Sequence, residues 1–244
     1  LYQGSFVATY ALAITSIILL TGYSGQLSLG QSALMAVGAY AGALTIFNAG
    51  LHPVIGLLMA ALVAGIFGLI LGLIAARLTG PYLAGIVFDV GLPPARFGED
   101  FSQYKWFFWI SCLASLIMVW FIANLLSTKY GRTFRALRDN PIAAELSGIN
   151  VGRLKVTAFA ISSGVAGLSG GLLVMLISGV SPSAFPLSLS FALLGGAVVT
   201  GLYNLKGVIL GGLVLVAIPE IADSLVSRIG GSEGFITTLP GFLV

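Results

Sequence analysis

The chain has 244 residues, of which 58% are hydrophobic and only 8% charged, and its mean hydropathy is +1.06. Soluble domains carry roughly 25% charged residues. Eleven basic and eight acidic side chains cannot cover a water-soluble globule of this size. A soluble enzyme, a nucleic-acid-binding domain and a disordered regulator are therefore excluded, and the chain is placed in a lipid bilayer as an all-α polytopic transmembrane helical bundle. No run alternates polar and apolar residues as β-barrel strands do.

The formal charge of +3 is unevenly placed. Residues 1–76 contain no Asp, Glu, Lys or Arg, whereas residues 129–155 hold Lys129, Arg132, Arg135, Arg138, Arg153 and Lys155 against Asp139 and Glu145. A basic loop between apolar spans marks the cytoplasmic side of a membrane protein.

A hydrocarbon core about 30 Å thick needs about 20 helical residues. In chain order, the stretches that approach this length are Leu1 to Thr21, Leu27 to Phe47, Pro53 to Ala76, Trp106 to Leu126, Val156 to Ile177 and Gly207 to Val226. A seventh, Pro186 to Tyr203, is short but apolar. Gly80 to Phe88 and Gly234 to Val244 are apolar but too short to cross. With the 129–155 loop inside, Trp106 to Leu126 enters from outside, and Asp89, Glu99 and Asp100 are external. Arg77 would then also be external, against the positive-inside tendency, unless a full span follows it. About a span's worth of residues, roughly 20, is therefore expected to be missing from the chain near 86–88. The whole of 1–244 reads as a single transmembrane domain.

Small residues recur at helical spacing in Gly38/Gly42, Gly68/Gly72, Gly167/Gly171 and Gly207/Gly211. In lipid, such pairs allow the close backbone approach that helix packing requires. They predict tight packing within the chain.

The cytoplasmic loop is the most informative segment. Tyr130 to Asp139 reads as a short helix with Arg132, Arg135 and Arg138 spaced by three. Asn140 is a natural N-cap, Pro141 suits the first helical position and Gly148 the C-terminal stop, so Ile142 to Ser147 forms one very short helix. So short a helix does not persist alone in water; it is held by the membrane domain, a partner or both. Ile142, Ala143 and Leu146 offer it a small apolar surface, with Glu145, Arg135 and Arg138 as charged contacts at the rim. The alternative is a solvated connector whose arginines only fix topology or meet anionic headgroups.

The segments GRTFRALRDNPIAAELSGINVGRLKVTAFAISSGVAGLSGG and TGYSGQLSLGQSALMAVGAYAGAL resemble the permease subunits of ABC importers, most closely the M-type permeases of branched-chain amino-acid systems. SPSAF and LVLVAIPEI fall where that family has similar segments. The resemblance implies that the short helix is a coupling helix, with that role carried by Ala143, Ala144, Glu145, Gly148, Ile149 and Asn150. It also implies an extra span between GPYLAGIV and FDVGLPPARFGED. The implied partners are two cytosolic ABC ATPase subunits, a second related permease and an extracytoplasmic substrate-binding protein. The implied location is a prokaryotic inner membrane. Permeases for urea, short amides or sugars are related, so the substrate stays open between these classes. The segment Val199-Thr200-Gly201-Leu202-Tyr203-Asn204 departs from the family's usual Gly-Gly-x-Gly run.

No G-x-x-x-x-G-K-[ST] phosphate loop is present, so the chain is read as a non-enzymatic subunit, with ATP and magnesium handled by its partners. One histidine, His52, and one cysteine, Cys112, make no metal site, and no catalytic set can be assembled. A stand-alone channel or facilitator is the rival reading. Proton- or voltage-coupled carriers place ionisable residues within their spans; here only Glu220 and Asp223 approach that. Candidate path residues are Gln26, Ser28 and Gln31, in a glycine-rich stretch expected to be partly unwound, with Ser181 and Ser183 as an external gate loop. The competing reading makes the first group a cytoplasmic turn.

Overall fold

The computed structural model describes residues 2–26, 28–47, 50–75, 103–177 and 184–229. Every element among them is helical: α1 (Tyr2–Ile17) running into a π-helical turn (Ile18–Tyr23), α2 (Gln31–Phe47), α3 (Pro53–Ala75), α4 (Gln103–Ser127), α5 (Lys129–Asp139), α6 (Pro141–Leu146), α7 (Val151–Ile177), α8 (Leu187–Thr200), a 3-10 turn (Leu205–Gly207) and α9 (Val208–Ile229). Long charge-poor runs take this form because hydrocarbon offers no partner to backbone N–H and C=O groups, which a helix satisfies internally.

Tyr2–Tyr23, Pro53–Gly72, Lys105–Ser127 and Val151–Ile177 are long and apolar enough to cross a membrane. The α8 and α9 helices meet at 116° and together make a fifth candidate, while α2 is shorter. Four of the seven expected stretches are thus present as spans with shifted ends, whereas Pro186 to Tyr203 and Gly207 to Val226, expected separately, form one bent pair, and Leu27 to Phe47 forms only the shorter α2. The second starts at Gln31 rather than Leu27, because the chain leaves the π turn through Gly25, whose φ of +70° ends helical geometry. The α7 helix starts at Val151 rather than Val156, because Asn150 Oδ1 accepts from Arg153 N at 2.9 Å and caps it. The segment 76–102, which includes the residues expected to flank a missing span near 86–88, lies outside the described residues.

The core is built around α7, which is buried along most of its second half and packs against α1, α2 and α3. All four glycine pairs face helices of this chain. A Cβ on Gly38 would overlap the Gly167 backbone, one on Gly68 would overlap Ser163, and one on Gly211 would press on Thr200 and Ile14. Hydroxyls add bonds between helices, with Ser115 Oγ donating to Ala8 O at 2.7 Å and Ser169 Oγ to Thr9 O at 2.8 Å. Such bonds inside membranes contribute about 0.6 kcal/mol each.

These contacts set the helix directions. Gly4 meets Phe108 and Ala8 meets Ser115, so α4 runs parallel to α1. Gly171 meets Ala60 and Gly72 meets Val156, so α3 runs antiparallel to α7. The α3 helix therefore ends on the face that carries α5 and α6, and α4 begins on the opposite face. Outward-facing Leu58, Leu62 and Ile66 on α3 and Trp109, Leu116 and Trp120 on α4 are exposed. An apolar band of that extent suits lipid rather than water.

Candidate functional site

The α5–α6 loop is folded by local chemistry. Thr128 caps α5 by accepting from Tyr130 N, and Phe134 and Leu137 are buried on its inner side. Asn140 Oδ1 accepts from Ala143 N at 3.0 Å, Pro141 opens α6, and Gly148 stops it at φ +82°. The Asn140 cap, Pro141 and the Gly148 stop lie where the sequence places them.

The predicted loop residues divide into two groups. Ile142 and Leu146 are 71% and 86% exposed, and Ala143, Glu145 and Gly148 are also exposed. Ala144 is only 4% exposed and packs inward, so it supports α6 rather than presenting a surface. Asn150 is occupied in capping α7, and Ile149 is half-buried. Both arginines turn toward the chain itself. Arg135 Nε and Nη2 donate to Gly131 O and Leu126 O, each at 3.2 Å. Arg138 Nη1 donates to Gly22 O at 3.2 Å, and its guanidinium lies 4.6 Å above the Tyr203 ring. Tyr203 is a participant that sequence reasoning missed, although the divergent 199–204 segment pointed to that region.

The glycine-rich stretch after α1 is unwound as expected and forms the connection to α2 at the loop face. Gln26 Nε2 donates to Ser24 Oγ and to Lys155 O, both at 3.2 Å, and Ser28 is buried. Gln31 is fully buried between α1, α2 and α7. Its Nε2 donates to Ser16 Oγ at 2.5 Å and to Ser162 Oγ at 3.3 Å. Both hydroxyls spend their protons elsewhere, Ser16 on Ala13 O and Ser162 on Ser16 O, which fixes the amide orientation. Gln31 Oε1 is then buried with no partner among the described residues. Ser16 and Ser162 carried no spacing signal that would have marked them. Ser181 and Ser183 lie outside the described residues.

A cavity of about 540 Å³ opens between α1, α7, α8 and α9, in the half away from α5 and α6. Phe6, Leu173, Leu189, Val199, Leu215 and Ile218 dominate its walls. The Tyr10 and Ser188 hydroxyls are its polar side-chain groups, and none of the lining residues is charged. The volume lies within the range of small-molecule pockets. Among the described residues no group of His, Cys, Asp and Glu is arranged to hold a metal ion.

Apolar spans and one basic face define a multi-pass integral membrane protein. A family profile described as branched-chain amino acid transport system / permease component matches residues 3–88 and 88–233, and the chain belongs to that family. It is 30% identical to the high-affinity branched-chain amino acid transport system permease protein LivM of Escherichia coli, over 82% of this chain and 58% of that protein. It is 27% identical to a probable branched-chain amino acid transport permease protein LivH of Methanocaldococcus jannaschii, over 92% of this chain and 70% of the relative. It is also 31% identical to the ribose import permease protein RbsC of Haemophilus influenzae, over 88% of this chain and 72% of the relative. The chain thus spans under two thirds of the LivM relative's length. No solved structure matches.

Proposed function

We propose that this chain is the membrane-spanning subunit of an ATP-driven importer of branched-chain amino acids in a prokaryotic inner membrane, with the 129–155 loop in the cytoplasm. The single observation that carries the ATP-driven reading is α6: a six-residue helix, capped at both ends, that holds Ile142 and Leu146 out from the bundle. A helix this short gains nothing by displaying two large apolar side chains to water, whereas a cytosolic partner's groove would bury them. Two ATPase subunits carrying ATP and magnesium would seat there, a second related permease would pair with this one, and an external binding protein would deliver the solute. The family profile breaks and resumes at residue 88, which supports a span missing from the chain at 86–88.

The cavity supports an aliphatic solute. Its walls are hydrocarbon with two hydroxyls, which suits a branched side chain. The ribose permease relative favours a sugar as the second reading. The test is gentle purification of the chain from its native membrane, with co-purifying proteins identified by mass. The reading expects two P-loop ATPases and a second permease. A chain that comes alone and carries solute in ATP-free vesicles is a channel or facilitator instead.

A further inference from the structure

The α5–α6 loop and the cavity lie at different levels of the bundle, and one contact set joins them. At the end of α5, Arg138 is held by its neighbour Asp139, whose Oδ1 accepts from Nε at 2.8 Å and from Nη2 at 2.7 Å. The remaining nitrogen, Nη1, donates to Gly22 O at the end of the α1 π turn, and the guanidinium plane covers the Tyr203 ring. Tyr203 sits in the bend between α8 and α9, where Gly201 takes φ +85° and Asn204 Oδ1 accepts from Lys206 N at 3.0 Å. The same bend is fastened to α1: Tyr23 Oη donates to Tyr203 O at 3.0 Å, and Leu202 lies so close to Gly22 that a Cβ there would overlap its carbonyl. The two helices leaving the bend carry Val199, Leu215 and Ile218 into the cavity wall.

We infer that Arg138 is a positioning residue that ties the loop to the α8–α9 bend, so that displacement of α6 moves the helices walling the cavity. This inference rests on the importer reading above. Only Asp139 and Asn140 separate Arg138 from Pro141, the first residue of α6, so motion of α6 reaches the guanidinium through two residues. The planar guanidinium can stack on the ring and donate to a carbonyl at the same time, which a lysine ammonium cannot reproduce. Arg138 thus acts inward, toward the bend, and Ile142 and Leu146 act outward.

The test uses the complete transporter, with both ATPases, the partner permease and the binding protein, reconstituted in vesicles. The readout is solute imported per ATP hydrolysed, normalised to assembled complex. Arg138→Gln is expected to keep ATP hydrolysis but to lower the ratio about thirtyfold or more, the scale of one charge-assisted hydrogen bond plus one cation–π stack. Tyr203→Leu, which removes only the stack, should lower the ratio by a smaller factor, Tyr203→Phe should retain it because the ring remains, and Arg138→Lys should restore it only in part. The double variant Arg138→Gln/Tyr203→Leu should be no worse than Arg138→Gln alone, because the stack is already lost there. Exposed Arg132→Gln is the charge control. The inference is overturned if Arg138→Gln lowers transport and hydrolysis in equal proportion, leaves the ratio at the wild-type value, or combines multiplicatively with Tyr203→Leu. The ratio is read with leucine or ribose, whichever the wild type carries, so an error in the substrate leaves the test intact. Wild-type uptake without ATP overturns both readings.

Discussion

The Gln31 amide donates to Ser162 Oγ across the α2–α7 interface and to Ser16 Oγ on α1, while its own carbonyl oxygen is buried without a partner among the described residues. Gln31→Leu gives up two hydrogen bonds but also removes the unpaired oxygen. It should cost about 1 kcal/mol net and lower the melting temperature modestly in detergent. Gln31→Glu places a carboxylate in a dry interface and should cost several kcal/mol or prevent folding. If Gln31 instead lined a wet path, the Glu variant would fold and melt like the wild type. The melting curve therefore separates a structural knot from a path residue.

Gly167 on α7 lies where a Cβ would overlap Ala64 and press on Ala60 O, whereas nothing stands within 4 Å of a Cβ on Gly30. Gly167→Ala should destabilise the bundle by about 1–3 kcal/mol through overpacking. Gly30→Ala should be close to neutral. Equal melting temperatures for the two variants would contradict the close approach of α2, α3 and α7.

The caps of α6 predict a local effect. Asn140→Ala removes the acceptor for Ala143 N and should weaken the helix by about 1 kcal/mol. Gly148→Ala forces a side chain into left-handed backbone at a similar cost, roughly 1–2 kcal/mol. Amide hydrogen exchange should rise several-fold over residues 141–148, with the α7 core unchanged. Exchange that rises equally across the bundle would mean that α6 is not an independent element.

The cavity predicts a size effect. Ala192 lies in its wall, and Ala192→Phe should fill space without adding charge. Leucine uptake should fall more than uptake of a smaller apolar amino acid, with assembled transporter at its normal level. Equal loss for both, or none for either, would place the path elsewhere.

Much of this arrangement was legible from local chemistry. The Asn140-Pro141 to Gly148 segment specifies its short helix through a cap, a fixed φ and a left-handed stop, each of which belongs to a residue type rather than to a tertiary contact. The spans were legible because charge-free runs in lipid have one outcome. Their packing faces were not: helices that are apolar all round carry no stripe to show which side is buried, and only the glycine pairs hinted at it. A polar side chain among glycines suggests an opening at Gln31; that Ser16 and Ser162 converge on it depends on three helices meeting, which no local pattern shows. The turn of Arg138 toward Tyr203 depends equally on the α8–α9 bend, whose divergent sequence signals a change in geometry without showing which side chain it meets.

The central claim is that this chain passes an aliphatic amino acid at the expense of ATP hydrolysed by partners docked on α6. The most direct measurement is uptake of labelled leucine and of labelled ribose by vesicles containing the complete transporter, with and without ATP, for the wild type and for Ile142→Ser/Leu146→Ser. The account predicts ATP-dependent leucine uptake by the wild type and no ribose uptake. In the double variant the permease should remain folded, with the ATPases and the uptake both lost. Leucine uptake that persists without ATP, or that survives the double variant, would contradict it.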